Sequence, residues 1–180
     1  MISELEVQNY FNSILDEYLE GLCELSKNGV QGRCRESSLA LAKIVEKKFP
    51  QIPFRKEGPS RNHIEVVECL HPDSQGKKQR HCVCFLYLNN KVYLLDATFS
   101  QYDPSKKFIF TYLGQRIGQR RIWDKVKKKY DLIPLVIELI PPNEEAVRDW
   151  FEEFGEKASQ GQIPKYVNKK IIDELIAQFS

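Results

Sequence analysis

The sequence predicts an α+β domain, and three patterns carry that prediction. Apolar residues recur at helical spacing near both ends of the chain and again after residue 34. Two strand-like runs, His81 to Leu88 and Lys91 to Thr98, flank an Asn89-Asn90 pair, which is the pattern of a hairpin. No internal repeat, low-complexity tract or domain boundary interrupts the chain.

Ser3 with Glu6 three residues later makes a capping box. Leu5, Tyr10, Phe11, Ile14, Leu15, Tyr18, Leu19 and Leu22 then form the apolar stripe of a helix over 3–28, closed by Asn28-Gly29. A loop over 30–33 leads to a second helix from Cys34 to Phe49, which Pro50 stops. Its centre, Ser37 to Ala42, is small and apolar on nearly every side, as in a helix packed on several faces. Ile52 to Phe54 and His63 to Leu70 read as strands, and the polar stretch from His71 to Arg80 as an exposed loop.

Beyond the hairpin, Phe108 to Leu113 reads as a strand and Ile117 to Tyr130 as a basic amphipathic helix. Leu135 to Ile140 is a β-branched run. Pro141-Pro142 opens a helix bearing Ala146, Val147, Trp150, Phe151 and Phe154, and residues 161–164 lead to a last helix with Ile171, Ile172, Leu175, Ile176 and Phe179. The chain is thus read as one domain over 1–180: an N-terminal helix at 3–28, a core at about 30–113 and a C-terminal helical region at 114–180.

With 180 residues, 42% of them hydrophobic, the chain can bury one real core and is too apolar for wholesale disorder. A formal net charge of +2 sets up no strong field toward nucleic acid or an acidic membrane. No apolar run approaches the roughly 18 residues needed to cross a bilayer. Acids at Glu4 and Glu6, with no apolar stretch behind them, do not fit a signal peptide; a cytoplasmic protein is expected, or one delivered by a specialised secretion route without a cleavable leader. The five cysteines, at 23, 34, 69, 82 and 84, are odd in number and scattered, which fits free thiols in a reducing compartment. Oligomeric state is left open.

One of those thiols is placed for reactivity. Cys34 opens a helix, where orphan N–H groups and the helix dipole favour the thiolate, and Arg33 and Arg35 flank it. If Leu88 and Lys91 close the hairpin, opposed residues sum to 179; Asp96 then faces Val83, and His81 lies two residues along on the same side. That diagonal of ~7–8 Å is within reach of an imidazole and a carboxylate. Asp96 sits in an apolar hairpin and needs a partner, which His81 supplies. The plainer alternatives are a small core cysteine at a helix start, a structural His–Asp pair, and an Asp96 that caps a turn with Thr98.

The order of these residues is similar to that of the papain-like and transglutaminase-like superfamily: Gln31-Gly32-Arg33-Cys34 at a helix start, His81 at a strand start, and Leu94-Leu95-Asp96-Ala97-Thr98 on the neighbouring strand. The separation of 15 residues between His81 and Asp96 resembles that of papain-fold polymorphic-toxin domains and bacterial glutamine-deamidase effectors, over roughly residues 30–100. The resemblance implies a papain-like fold, with the nucleophile-bearing helix packed on an antiparallel sheet between N- and C-terminal helices. It implies a cysteine-dependent acyl-transfer enzyme cleaving an amide, with Cys34, His81 and Asp96 as catalytic triad and no cofactor. Deamidation of a protein glutamine is the favoured reaction, ahead of proteolysis or transglutamination, so the expected partner is a protein or peptide carrying an amide. Relatives of this kind place Gly, Asn or Gln before the cysteine and an aromatic after it, whereas both neighbours here are arginine. Gln31 is a candidate oxyanion donor beside the Cys34 N–H. The alternative is a non-catalytic papain-fold or α+β interaction module with a structural Cys/His/Asp set.

Cys69, His71, Cys82 and Cys84 invite a zinc reading, but strand residues two apart are separated by ~6.6 Å, whereas sulfurs sharing a zinc lie within about 4 Å. No metal is therefore expected, and Cys82 and Cys84 read as packing beside Leu86 and Leu88. His63 is a rival histidine with no carboxylate placed to orient it. Lys125, Lys127, Lys128 and Lys129 with Arg120 and Arg121 read as a solvated helix face, and Trp123 and Trp150 as packing residues.

Overall fold

The fold is built on antiparallel strand pairing. In the computed structural model, residues 2–26, 30, 32–54, 62–72, 75–116, 119–134 and 168–179 are described. Helices α1 (Glu4–Leu25) and α2 (Cys34–Lys48) precede strands β1 (His63–Pro72), β2 (Lys78–Leu88), β3 (Lys91–Asp96) and β4 (Ile109–Gln115). A 3-10 turn at Phe99–Gln101 lies between β3 and β4; helix α3 (Gln119–Tyr130), the two-residue β5 (Ile133–Pro134) and helix α4 (Lys169–Phe179) follow. The sheet order is β4-β3-β2-β1-β5, with every pairing antiparallel. The architecture is α+β, as the sequence predicts.

The hairpin forms with the expected register. Asn89 and Asn90 both adopt positive φ, 50° and 63°, the conformation of a two-residue type I′ turn whose twist suits the flanking strands. Leu88 pairs with Lys91, and the ladder continues to Cys84 opposite Leu95. Period-two alternation then sorts the hairpin into two faces. Cys82, Cys84, Leu86, Leu88, Tyr93 and Leu95 pack under α1, α2 and α4, with Leu39, Leu41, Ala42, Ile44 and Leu175. Val83, Phe85, Val92 and Leu94 pack on the other side with Ile122, Val126 and Tyr130 of α3. Helix α2 has ten buried residues among its fifteen, which is why small side chains dominate its centre. Fully burying a Leu or Ile there contributes about 1.5–3 kcal/mol.

Several boundaries differ from the sequence reading. The first helix ends at Leu25, because Ser26 turns extended and its Oγ accepts from Arg33 Nε at 3.2 Å; Asn28 and Gly29 lie outside the described residues. Leu5 leaves the apolar stripe at 64% exposure, and Val7 takes the buried position. Ile52 to Phe54 forms no strand, only an isolated bridge between Phe54 and Ile64. The exposed loop expected over 71–80 is shorter: His71 pairs with Gln79 and Pro72 with Lys78, so β1 and β2 run on as a ribbon. Polar side chains serve there because Lys78, Gln79 and Arg80 are exposed. β4 and α3 stand where a strand and a basic helix are expected, while β5 adds a strand to the region read as helical. The runs at 135–140 and 141–154, Trp150 and the link at 161–164 lie outside the described residues. Among the described residues no helix is long and apolar enough to cross a membrane.

Candidate active site

The site forms where β3 ends. Asp96 is its last residue and would stand opposite Val83, so β2 residues before Val83 have no β3 neighbour and the two faces of the sheet meet beside a bared edge. Asp96 is fixed by its own turn. Oδ1 accepts from the Thr98 N–H at 2.8 Å and the Thr98 hydroxyl at 3.0 Å, while Oδ2 lies 2.5 Å from His81 Nε2. The two plain alternatives, a turn cap and a histidine partner, are therefore both occupied by one carboxylate. Asp96 is 1% exposed and His81 fully buried, so the pair sits at low dielectric, where a missing partner is costly.

With Nε2 on the carboxylate, only Nδ1 of His81 is left to face a reactant. The Cys34 sulfur lies beside the imidazole, close enough for each group to shift the other's pKa. Burial opposes charge on His81, but Asp96, then Cys34, outweighs it and pushes its pKa up to about 10. The Cys34 thiol is held well below its ordinary value, first by a hydrogen bond from the Cys82 thiol and then by contact with His81, against the opposing effect of burial. Cys82 is pushed up by burial and by Cys34, so it stays a protonated donor. These shifts favour a thiolate–imidazolium pair near neutral pH.

Cys82 thus does more than pack: it lies beside Leu86 and Leu88 as expected, and it also contacts the Cys34 sulfur. The flanking arginines are engaged elsewhere. Arg33 bonds Glu36 and Ser26, and Arg35 Nε lies 2.5 Å from Glu68 Oε1, although Arg35 also feels the charge of Cys34. Gln31 lies outside the described residues.

Gln101 is a site residue the sequence reading missed. Its Nε2 is 3.2 Å from His81 Nδ1, and its Oε1 accepts from the Gly32 N–H at 3.5 Å, tying the imidazole to the turn that opens α2. Gly32 has φ +70°, which suits glycine at that turn. The signal lay in the Asp96–Thr98 turn, which folds the next residues back over the histidine. Phe99 and Tyr102 from the same segment meet the imidazole with ring centroids 6.5 and 5.0 Å away.

The other candidates stand apart. His63 stacks on Tyr87 at 4.3 Å, opposite it on the ladder and six residues along β2 from His81. Cys84 donates to the Ser38 carbonyl, and Cys69 contacts the His81 carbonyl; burial raises the pKa of both. Cys23 is exposed. Trp123 packs on Phe85 at 5.1 Å. On α3, Lys125 and Lys129 bond the Leu113 carbonyl and Thr111 of β4, and Arg121 is exposed. Among the described residues no group of three or more His, Cys, Asp or Glu is placed to hold a metal ion. No protein-family model, curated protein or solved structure matches the chain.

Proposed function

We propose that the protein is a cysteine-dependent amide hydrolase of papain-like build, with deamidation of a protein glutamine as the favoured reaction. The contact chain Cys34–His81–Asp96, with Asp96 held on both oxygens, is the observation that carries this reading. The Cys34 thiolate attacks the amide carbonyl, and the Cys34 N–H, with Gln31 as the second candidate donor, meets the oxyanion. His81 delivers its Nδ1 proton to the departing nitrogen, which leaves as ammonia. A water then gives a proton back to Nδ1 as its oxygen attacks the thioester, freeing a carboxylic acid and regenerating the thiolate. Asp96 keeps the imidazole in the tautomer that both steps need.

The test begins with iodoacetamide. Cys34 gains thiolate as pH rises through its lowered pKa, while the imidazolium partner persists up to about pH 10. Labelling of Cys34 is therefore expected to be fast at neutral pH, where an ordinary thiol is still protonated, and flat up to about pH 10, with Cys69, Cys82 and Cys84 unreactive. Ammonia release from a glutamine-rich protein such as casein should vanish in Cys34→Ser. A single observation favours the rival, a non-catalytic interaction module: Cys34 is 6% exposed. Equal, slow labelling of all five thiols would decide for that rival.

A further inference from the structure

Beside Tyr102 lies an open cleft of about 440 Å³, within the ~300–1,000 Å³ range of ligand sites. Its lining includes His71, Tyr102, Lys106, Lys127, Lys128 and Asp131. His71 stacks on Tyr102 at 4.0 Å, and Tyr102 also meets His81 at 5.0 Å, so a single aromatic side chain stands between the cleft and the candidate active site.

The charges lining the cleft are unbalanced. Four lysines, at 106, 127, 128 and 129, face two aspartates, at 103 and 131. Lys106 is matched by Asp103 at 2.5 Å, and Lys129 donates to Thr111. Among the described residues Lys127 and Lys128 have no ion pair. Cations in the last turn of α3 complement the helix dipole, which is reason enough for a lysine or two there. Both lysines, however, line the cleft beside Tyr102, where Asp131 alone is left to offset them once Asp103 is taken by Lys106.

We propose that this cleft is a subsite for an acidic side chain of the polypeptide substrate, held by Lys127 and Lys128. The inference rests on the amide-hydrolase reading and adds a substrate class to it: proteins carrying Asp or Glu beside the target amide. A polypeptide is the favoured source of the carboxylate because the subsite shares a wall with His81, so a chain seated in one can reach the other.

The test is calorimetric titration of the intact protein with an N-acetylated tetraglutamate peptide, tetraglutamine and inorganic phosphate. Tetraglutamate is expected to bind, and to weaken steeply between about 0.05 and 0.3 M salt. The affinity should fall about tenfold in Lys127→Gln/Lys128→Gln. It should hold in the distant Lys169→Gln/Lys170→Gln. Absence of tetraglutamate binding, equal affinity in the Lys127/Lys128 variant, or phosphate binding as tightly as the peptide would overturn the proposal. Binding heats involve no turnover, so this outcome is separate from slow Cys34 labelling, which would strike the catalytic reading instead.

Discussion

Asp96 and Glu68 are both strand carboxylates buried to within 2% of full enclosure, yet their surroundings differ. Every lone-pair direction that matters on Asp96 is taken: one oxygen by His81, the other twice by Thr98. Glu68 uses Oε1 for Arg35 and, 3.7 Å from the Cys82 sulfur, competes with Cys34 for its one proton, while Oε2 is buried without a partner. The first arrangement fixes the position of an imidazole to within one rotamer. The second balances the charge of Arg35 and leaves orientation loose. Asp96 acts through geometry, then, and Glu68 mainly through charge.

Removing Asp96 should give the largest effect. Asp96→Ala leaves His81 and the Thr98 N–H buried without their acceptor, and a cost of about 3–5 kcal/mol in urea-unfolding free energy is expected. Asp96→Asn separates geometry from stability. Its carbonyl can still accept from Thr98, but its amide must donate to Nε2, which forces the imidazole proton onto Nδ1 with no carboxylate to stabilise the charged ring. Cys34 labelling should slow by about a hundredfold or more while more of the stability is kept. An Asn variant that labels as fast as the parent would break the contrast with Glu68.

The legible part of this site was its strand geometry. Asn89-Asn90 dictates a two-residue turn, the turn dictates the sum of 179, and period two then places His81 and Asp96 on one face. Local rules suffice because all of this happens within eighteen residues of chain. The resting place of Ser26, the length of the β1–β2 ribbon and the partners of Arg33 and Arg35 were not legible. Arg35 finds Glu68 thirty-three residues away, and Ser26 meets Arg33 across the connection from α1 to α2, so neither contact follows from the spacing of one element. The Cys34–Cys82 contact was missed for the same reason. Alternation assigns Cys82 to the α2 face, but only the crossing of α2 over β2 decides which helix residue it touches. Ser38 Oγ donating to the Cys82 carbonyl marks that crossing.

A smaller effect belongs to Glu68→Gln. The amide keeps the shape, can still accept from Arg35 and gives the orphaned position a donor, but it removes the carboxylate charge facing a half-buried guanidinium. A loss of about 1–3 kcal/mol in the same unfolding measurement is expected. Cys34 labelling should stay within about threefold of the parent, since neither His81 nor Asp96 touches Glu68. A loss of labelling as deep as that in Asp96→Asn would mean that the Cys82 hydrogen bond, for whose proton Glu68 competes, matters as much as the imidazole.

The smallest effect, and the sharpest, is expected from Gln101. Its side chain links two parts of the site that come from opposite sides of the sheet: the turn before Cys34 and the ring nitrogen that faces the sulfur. When His81 is neutral at Nδ1, the Gln101 amide N–H donates to it; when Nδ1 carries a proton, that donor has no acceptor there. Gln101 therefore favours the neutral ring and competes with the ion pair, while holding Gly32 close. Gln101→Ala should cost under about 1 kcal/mol in stability. Losing the tether should slow Cys34 labelling about three- to tenfold at pH 7, the equivalent of one hydrogen bond. Losing the competing donor should at the same time raise the pKa of His81, which would extend the flat region of the labelling profile upward from about pH 10. A residue that merely filled space would slow labelling equally at every pH. The shift of the alkaline limb in Gln101→Ala is therefore what separates a positioning role from a packing one.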